Sequence, residues 1–545
     1  LLQARFTTDE YAITFGSYKV KHHVPFISLK ELVTIKEQLC EMMKKSICLA
    51  FEVHQPFRLR RDFFWNKQQF RKGVTSENLF DYYFLEDEDR AVFEKVAKKC
   101  YCPTNEIILR LIDEYDTFKV AYSISGVFIE QCERYKFGKE ILENFRQLAS
   151  SKKVEFLDQT YYHSLVGLYE EEGEFIEQVK LHRDVMRDVI GCQPSFFENT
   201  ELLYNNRIAR LAEEMGYRGI FAEGVERILN GRSPNYVYTP IGCKKFKVLL
   251  RNYPLTDDVG FRFSLKGWNE YPLSASKYAS WLNATPGQCI ILFLDYETFG
   301  EHHWEDTGIF GLLSDLPSQV LNYEMEFATP SEIIGRYKPI GVIDVRNLET
   351  TSWADVEKDT SCFIGNTMQW ACYDYLRWLE PYVKESCDEQ LLKIWRYLGI
   401  SDHLYYMFTL SGASGDVHSY FSHFEKPYDA FVTLFSVIHD FDVRLRAKIK
   451  GARYPFVFRN GEKVWSLMGL CNYVRSMPKE EAGDVLTVYI ERGDLARWIR
   501  ESVGEEEIAE EVSKLRLSRE KQEYSVDELQ EELSKRICTQ TKDLE

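Results

Sequence analysis

The chain has 545 residues, 45% of them hydrophobic and 28% charged, with a formal net charge of −17. That length allows several domains around a large core, and the balance is that of a globular protein. The acidic excess disfavours non-specific binding to nucleic acid or an anionic membrane. No apolar run reaches the roughly 18 residues of a membrane span, and no signal peptide is recognisable. Thirteen cysteines are scattered without zinc spacing, Cys100-Tyr-Cys102 being too tight for the usual pair. Free, buried thiols in a reducing cytoplasm are therefore expected.

In chain order, residues 1–41 show little periodicity and precede Met42-Met43-Lys44-Lys45, which reads as a start. Residues 1–43 are expected to be an extension outside the natural fold. The alternative is a short helix around 29–43 packed on the first domain. From Ser46 a strand–helix rhythm sets in. Apolar strands are expected at 47–51, 118–124, 154–157, 195–197, 219–222, 246–250 and 290–294. Helical patterns lie between several of them. The one at 174–190 closes on Gly191, and the one at 203–215 on Gly216. Strands alternating with helices predict a parallel sheet, here long enough to close into a barrel.

The residues that follow each strand are polar: Glu52-Val-His54-Gln-Pro56, Ser123 and Ser125, Asp158 to His163, Glu198-Asn-Thr-Glu201, Glu223 and Asp295. A barrel presents its active site on such a face, built from the ends of several strands. Five titratable groups crowd the last of these, Asp295 to His303, among Tyr296, Phe299 and Trp304. Residues 305–450 turn helical, with patterns at 366–383, 387–398 and 428–449. Polar and aromatic groups interrupt them at Trp353-Ala-Asp355, Ser401 to Tyr406 and Asp416-Val-His418, as if that segment also lines the site. Strands at 456–458 and 485–490 around a helix at 466–475 form a third unit, followed by a helix at 495–503. A charged helical tail comes next, in which Ser525-Val-Asp-Glu528 could cap a last helix. The expected division is 1–43, 44–320, 321–451, 452–503 and 504–545.

No phosphate loop, dinucleotide fingerprint or nucleophile elbow is present. His302-His303 are adjacent, a spacing that rarely converges on one ion, so neither metal nor cofactor is expected. Paired carboxylates on a barrel rim remain, which is the minimum machinery for cleaving a glycosidic bond. Here Phe51-Glu-Val-His-Gln-Pro-Phe-Arg58, Val154-Glu-Phe-Leu-Asp-Gln-Thr-Tyr-Tyr-His-Ser-Leu165, Asn199-Thr-Glu-Leu-Leu-Tyr204, Leu294-Asp-Tyr-Glu-Thr-Phe-Gly-Glu301 and Ser401-Asp-His-Leu-Tyr-Tyr406 resemble, in order, the five signature regions of glycoside hydrolase family 57. The likeness is to its α-amylase-type members and runs from about residue 46 to 450.

The resemblance implies an incomplete seven-stranded (β/α) barrel followed by a helical domain, with the small C-terminal α+β unit appended. It implies metal-free, retaining hydrolysis or transfer on α-glucan polysaccharides or maltooligosaccharides. By motif position Glu201 would be the nucleophile and Asp295 the acid/base, with Glu198 the rival nucleophile. Retention asks for two carboxyls about 5–5.5 Å apart, which the ends of different strands can supply. His54 and Asp402 would contact the sugar, and the motifs add Gln55, Tyr161, Glu297 and His403 to the substrate-binding set. His163, Trp268, Trp304 and Trp353 are placed near the cleft, with core positions as the alternative. Competing readings are a branching enzyme or amylopullulanase of the same family, a non-catalytic α-glucan-binding protein, and a metal-dependent polysaccharide deacetylase. The oligomeric state is left open, a homo-oligomer included.

Overall fold

The computed structural model describes residues 44–409, 422–520, 525 and 528–538, and the backbone of 3–7, 10–15 and 18–21. The helix considered at 29–43 and the Asp416-Val-His418 stretch lie outside the described residues. Gln3–Thr7, Glu10–Phe15 and Tyr18–Lys21 pair antiparallel in a sheet of their own, separate from the main one.

All seven expected barrel strands take their places in one ring. Lys45–Val53 pairs in parallel with Val120–Ile124 on one side and Cys289–Asp295 on the other. Val120–Ile124 pairs with Val154–Leu157. The run at 195–197 is too short for a ladder, yet Phe197 makes parallel bridges to Asp158 and Ile220 and so acts as the fourth stave. Gly219–Glu223 pairs along its length with Lys247–Arg251, and the ring then meets Cys289–Asp295 at one point, Ile291 against Arg251. The reason for that seam is an extra strand, Val237–Pro240. It pairs antiparallel with Lys247–Arg251 through Leu249 and Val248, on the edge a closed barrel would give to the seventh stave. The barrel is therefore an incomplete (β/α)7 barrel.

Side-chain alternation explains why the staves read as unbroken apolar runs, since both faces are buried. Ile47, Leu49 and Phe51 pack outward on helices, while Cys48 and Ala50 face inward. Inside the ring the small Ala50 and Ala121 leave room for Phe196, Phe221 and Phe293. The sheet also continues beyond residue 320, where the first domain was expected to end. Met325–Phe327 pairs with the start of the first stave, and Val342–Ile343 extends Val237–Pro240. Strands of two or three residues carry too little pattern to be read from sequence.

The helical segment shares one core with the barrel, Leu203 and Tyr204 packing in the same cluster as Leu376, Trp395 and Phe441. A buried ion pair crosses the junction: Arg396 donates to both oxygens of Glu174, at 2.7 and 3.0 Å. Thr367–Glu385, Glu389–Leu398 and Pro427–Ile449 match the three expected helices. In the third unit Gly451–Val457 pairs with Lys463–Ser466, but 485–490 is not a strand. It lies in the helix Lys479–Glu491, because Ala482, Leu486, Tyr489 and Ile490 fall on one helical face toward the core. That core runs from Ala452 to Ile537, so Glu506–Glu520 and Leu529–Cys538 pack within the unit instead of forming a solvated tail. Cys471 is disulfide-bonded, contrary to the expectation of reduced thiols throughout, while Cys48, Cys100, Cys132 and Cys289 are buried free thiols. Among the described residues no helix is long and apolar enough to cross a membrane.

Candidate active site

The carboxyl ends of the staves and the helical segment enclose a cleft of about 1270 Å³. Glu201 enters it from a short turn, Thr200–Leu202, that follows the fourth stave. Its backbone is left-handed, at φ 59°, and so is that of Leu202, at φ 50°. Such a conformation costs a non-glycine residue about 1–3 kcal/mol and persists only where its surroundings enforce it. Here Ser352 Oγ and the Trp353 amide donate to the Glu201 carbonyl at 2.8 and 3.2 Å. The Leu202 amide donates to Glu198 Oε1 at 3.2 Å. The result aims the Glu201 carboxyl at the cleft among several donors. Trp353 Nε1 reaches Oε2 at 2.7 Å, Ser401 Oγ reaches Oε1 at 3.2 Å, and His163 Nε2 stands 3.6 Å from Oε1.

Asp295 ends the seventh stave, in register with Glu52 at the end of the first. Its carboxyl is pushed up to about 7, first by burial and then by the negative charge of Glu201, with Arg251 opposing. Two acids facing one cleft thus have opposite surroundings, a pattern that separates an acid from a nucleophile. Glu297, two residues on, accepts from Tyr101 Oη, and burial lifts it to about 8. Gln55 also lines the cleft, its Oε1 accepting from Arg58 at 3.3 Å.

His54 lies stacked on His163, ring centroids 4.0 Å apart. Burial, then the neighbouring His163, lowers it to about 4, so at neutral pH it is uncharged. Its Nε2 meets Asp402 Oδ2 at 3.0 Å and its Nδ1 meets Ser125 Oγ at 2.7 Å. Asp402 must be an acceptor, so Nε2 carries the hydrogen and Nδ1 accepts from the Ser125 hydroxyl. Burial works to raise Asp402, but His54 and the other nearby imidazoles outweigh it and hold the carboxyl at about 2.

The structure gathers Glu201, Asp295, His54, Gln55, His163, Glu297, Trp353 and Asp402 around the cleft. It does not bring Tyr161, Trp268, Trp304 or His403 to the described cleft wall. Tyr161 turns back to donate to Glu130 Oε1 at 3.0 Å. Trp268 packs on Trp281 at 6.1 Å under the Arg262 guanidinium, and Trp304 is 56% exposed beneath Lys99. His403 is buried one helical step behind Asp402, beside Phe84 and Tyr406. Glu198 is buried behind the wall at 1% exposure.

Sequence reasoning missed Arg251, which donates to Glu223 at 2.9 Å, Asp257 at 2.7 Å and the Phe293 carbonyl at 2.8 Å, and sits close enough to oppose the shift of Asp295. The signal was available, since Arg251 is a charge ending an apolar strand, as Asp295 is. Lys358 reaches the same acids from a loop, at 3.8 Å from Glu223, and nothing local marks it. Among the described residues no group of three or more His, Cys, Asp or Glu side chains is arranged to hold a metal ion.

This site can be set beside known proteins. A protein of Methanocaldococcus jannaschii, whose name of alpha-amylase is itself provisional, is 45% identical over 410 residues, 73% of this chain and 85% of that one. An alpha-amylase of Pyrococcus horikoshii is 22% identical over 178 residues, 33% of this chain and 28% of its own length. In fold, the crystal structure of a branching enzyme from Thermococcus kodakaraensis aligns over 74% of this chain and 90% of that one, at a TM-score of 0.51 and 15% identity. The sequence profile described as Glycosyl hydrolase family 57 matches residues 48–346, which hold the barrel with Glu201 and Asp295. With more than half of its length so matched, the chain belongs to glycosyl hydrolase family 57.

Proposed function

We propose that this protein is a retaining α-glucan hydrolase or transglycosylase, an α-amylase or 4-α-glucanotransferase on starch, glycogen or maltodextrins. Glu201 is its nucleophile and Asp295 its acid/base. The observation that carries the reading is the paired environment of the two carboxyls. Asp295 keeps a proton to about 7 because it is buried beside the charge of Glu201. Glu201 itself sits among the Trp353, Ser401 and His163 donors. The names of the sequence relatives support an α-glucan as the substrate class.

In the first step Asp295 gives its proton to the glycosidic oxygen as a Glu201 oxygen attacks the anomeric carbon, and the leaving chain departs as an alcohol. Forming the glycosyl ester removes the charge on Glu201. That charge is one of the causes holding the proton on Asp295, so its loss lowers the Asp295 pKa. Asp295 is then ready to take a proton from the incoming water or sugar hydroxyl. Two inversions return the α configuration. His54 and Asp402, joined by a hydrogen bond, face the sugar at the cleavage point.

The test is azide rescue. Glu201→Gln should be inactive even on an α-glucosyl substrate with an activated leaving group, and azide should restore turnover with the β-glycosyl azide as product. Asp295→Asn should retain the first step on that substrate, and azide should give the α-glycosyl azide. Proton NMR of the two products reads the configuration. The reverse pattern exchanges the roles, and an active Glu201→Gln with an inactive Glu198→Gln moves the nucleophile to Glu198. Products from maltoheptaose then separate hydrolysis, which only shortens chains, from transfer, which also lengthens them.

A further inference from the structure

Glu52, in the wall of the cleft, and Glu198, behind it, are two more carboxyls that the reaction above does not use. Glu52 and Glu198 are 2% and 1% exposed and face each other within hydrogen-bonding reach. Among the described residues neither forms an ion pair with lysine or arginine, and His163 Nδ1 stands 3.6 Å from Glu52 Oε1. A single imidazole, whose two nitrogens face Gln159 and Glu201, cannot balance two buried charges in contact, so the pair must hold a proton.

Counting donors says where it is. Gln159 Nε2 donates to Glu52 Oε1 at 2.8 Å and to Ser123 Oγ at 2.7 Å. Ser123 has thereby accepted, and its own hydrogen goes to Glu198 Oε2 at 3.0 Å. The Leu202 amide donates to Glu198 Oε1 at 3.2 Å. Both oxygens of Glu198 are therefore occupied by donors, as a carboxylate requires. Glu52 Oε2 is buried with no donor at all. It is the one oxygen that needs the proton, and with it can donate to Glu198.

The same count reaches Glu201 by a second path. With Gln159 Nε2 engaged, its Oε1, 2.9 Å from His163 Nδ1, must accept the hydrogen on that nitrogen. His163 Nε2 then faces Glu201 Oε1, where a bare lone pair would oppose the carboxylate. Burial lowers the proton affinity of His163, but the bond to Glu201 and its charge win, and the imidazole is held above its ordinary range.

We infer that Glu52 and Glu198 share one proton, lodged on Glu52, and that this singly charged pair positions the nucleophile. One arm is the Leu202 amide, which fixes the left-handed turn of Glu201. The other is the Gln159–His163 relay, which presents an imidazolium hydrogen to its carboxyl. The inference rests on Glu201 being the nucleophile.

Amide substitution in the full-length chain tests it, because Gln imitates a protonated Glu and not a carboxylate. Glu52→Gln keeps a donor toward Glu198, and kcat should stay within about threefold of wild type. Glu198→Gln turns a donor on Leu202 or Ser123, and kcat should fall by about 100-fold with KM little changed, as for a displaced reacting group. Equal losses in the two variants, or failure of Glu52→Gln to fold, overturn the inference. If Glu198→Gln does not fold, infrared spectroscopy of the ¹³C-glutamate-labelled chain decides. Glu297, lifted to about 8, contributes a protonated-carboxyl band of its own, so the reading is the difference between wild type and Glu52→Gln at neutral pH. The variant must lose protonated-carboxyl intensity, and a difference spectrum without that loss overturns the assignment. An active Glu201→Gln would defeat the reading of the reaction instead, leaving the infrared result intact.

Discussion

Glu201 and Asp295 are a useful contrast, two acids on one cleft that the fold treats in opposite ways. Glu201 projects from a turn and is served by donors, and most of these come from far away in sequence, from Trp353 and Ser401. Asp295 terminates a buried strand, and what acts on it is burial and the charge of Glu201. The contrast shows that the surroundings of Asp295, not its residue type, set its proton affinity. A strand end withholds water, whereas a turn can be wrapped by hydrogen-bond donors from distant segments.

The sharpest way to break the contrast is to neutralise each acid in turn. Glu201→Gln should lower turnover of maltoheptaose by on the order of 10⁴-fold or more, since no nucleophile remains. Asp295→Asn should lose about 10²–10⁴-fold on the same substrate, and far less with an activated leaving group. Comparable losses on both substrates for both variants would erase the distinction.

Next in size is the junction that delivers the donors to Glu201. Glu174 is fully buried, and its replacement leaves Arg396 without its main partner. Glu174→Ala should destabilise the protein by about 3 kcal/mol in chemical denaturation. No loss would mean that the shared core alone fixes the helical segment on the barrel.

Trp353→Phe asks about a single donor. It keeps the ring against Phe293 and removes the bond from Nε1 to Glu201. A hydrogen bond to a charged group contributes about 1.5–3 kcal/mol, so kcat should fall roughly 10- to 150-fold without loss of stability. An unchanged kcat would show that the indole only fills space.

The mildest test is pH. Asp295 must be protonated for the first step, so kcat/KM should decline as pH rises through about 7. Stripping the proton is what stops the reaction, so the limb must lie on the alkaline side. A profile flat through that range would contradict the role given to Asp295.

Much of this was legible beforehand. Buried parallel staves are apolar throughout, so runs such as 290–294 announce themselves, and the polar residue after each run marks the cleft face. The third unit misled because Leu486, Tyr489 and Ile490 are apolar at close spacing, and a short apolar run does not distinguish strand from helix. Val237–Pro240 went unread because it is a four-residue strand, yet it is what keeps the barrel open. Trp268 and Trp304 were expected near the cleft, but no local pattern sets the direction of a ring, and both turn elsewhere. The Trp353–Glu201 bond spans 152 positions, and no local pattern encodes it. The Glu52–Glu198 pair was visible only as two acids at two strand ends.

The central claim is that the charge of Glu201 helps to hold the proton on Asp295. It is tested by following the Asp295 carboxyl directly, by carbon NMR of the ¹³C-aspartate-labelled chain across pH, with Asp295→Asn identifying the resonance. The account predicts a midpoint near 7 in wild type. In Glu201→Gln the midpoint should drop, while burial still keeps it above the ordinary aspartate range. A wild-type midpoint in that ordinary range, or one that does not move when Glu201 is neutralised, would contradict the account.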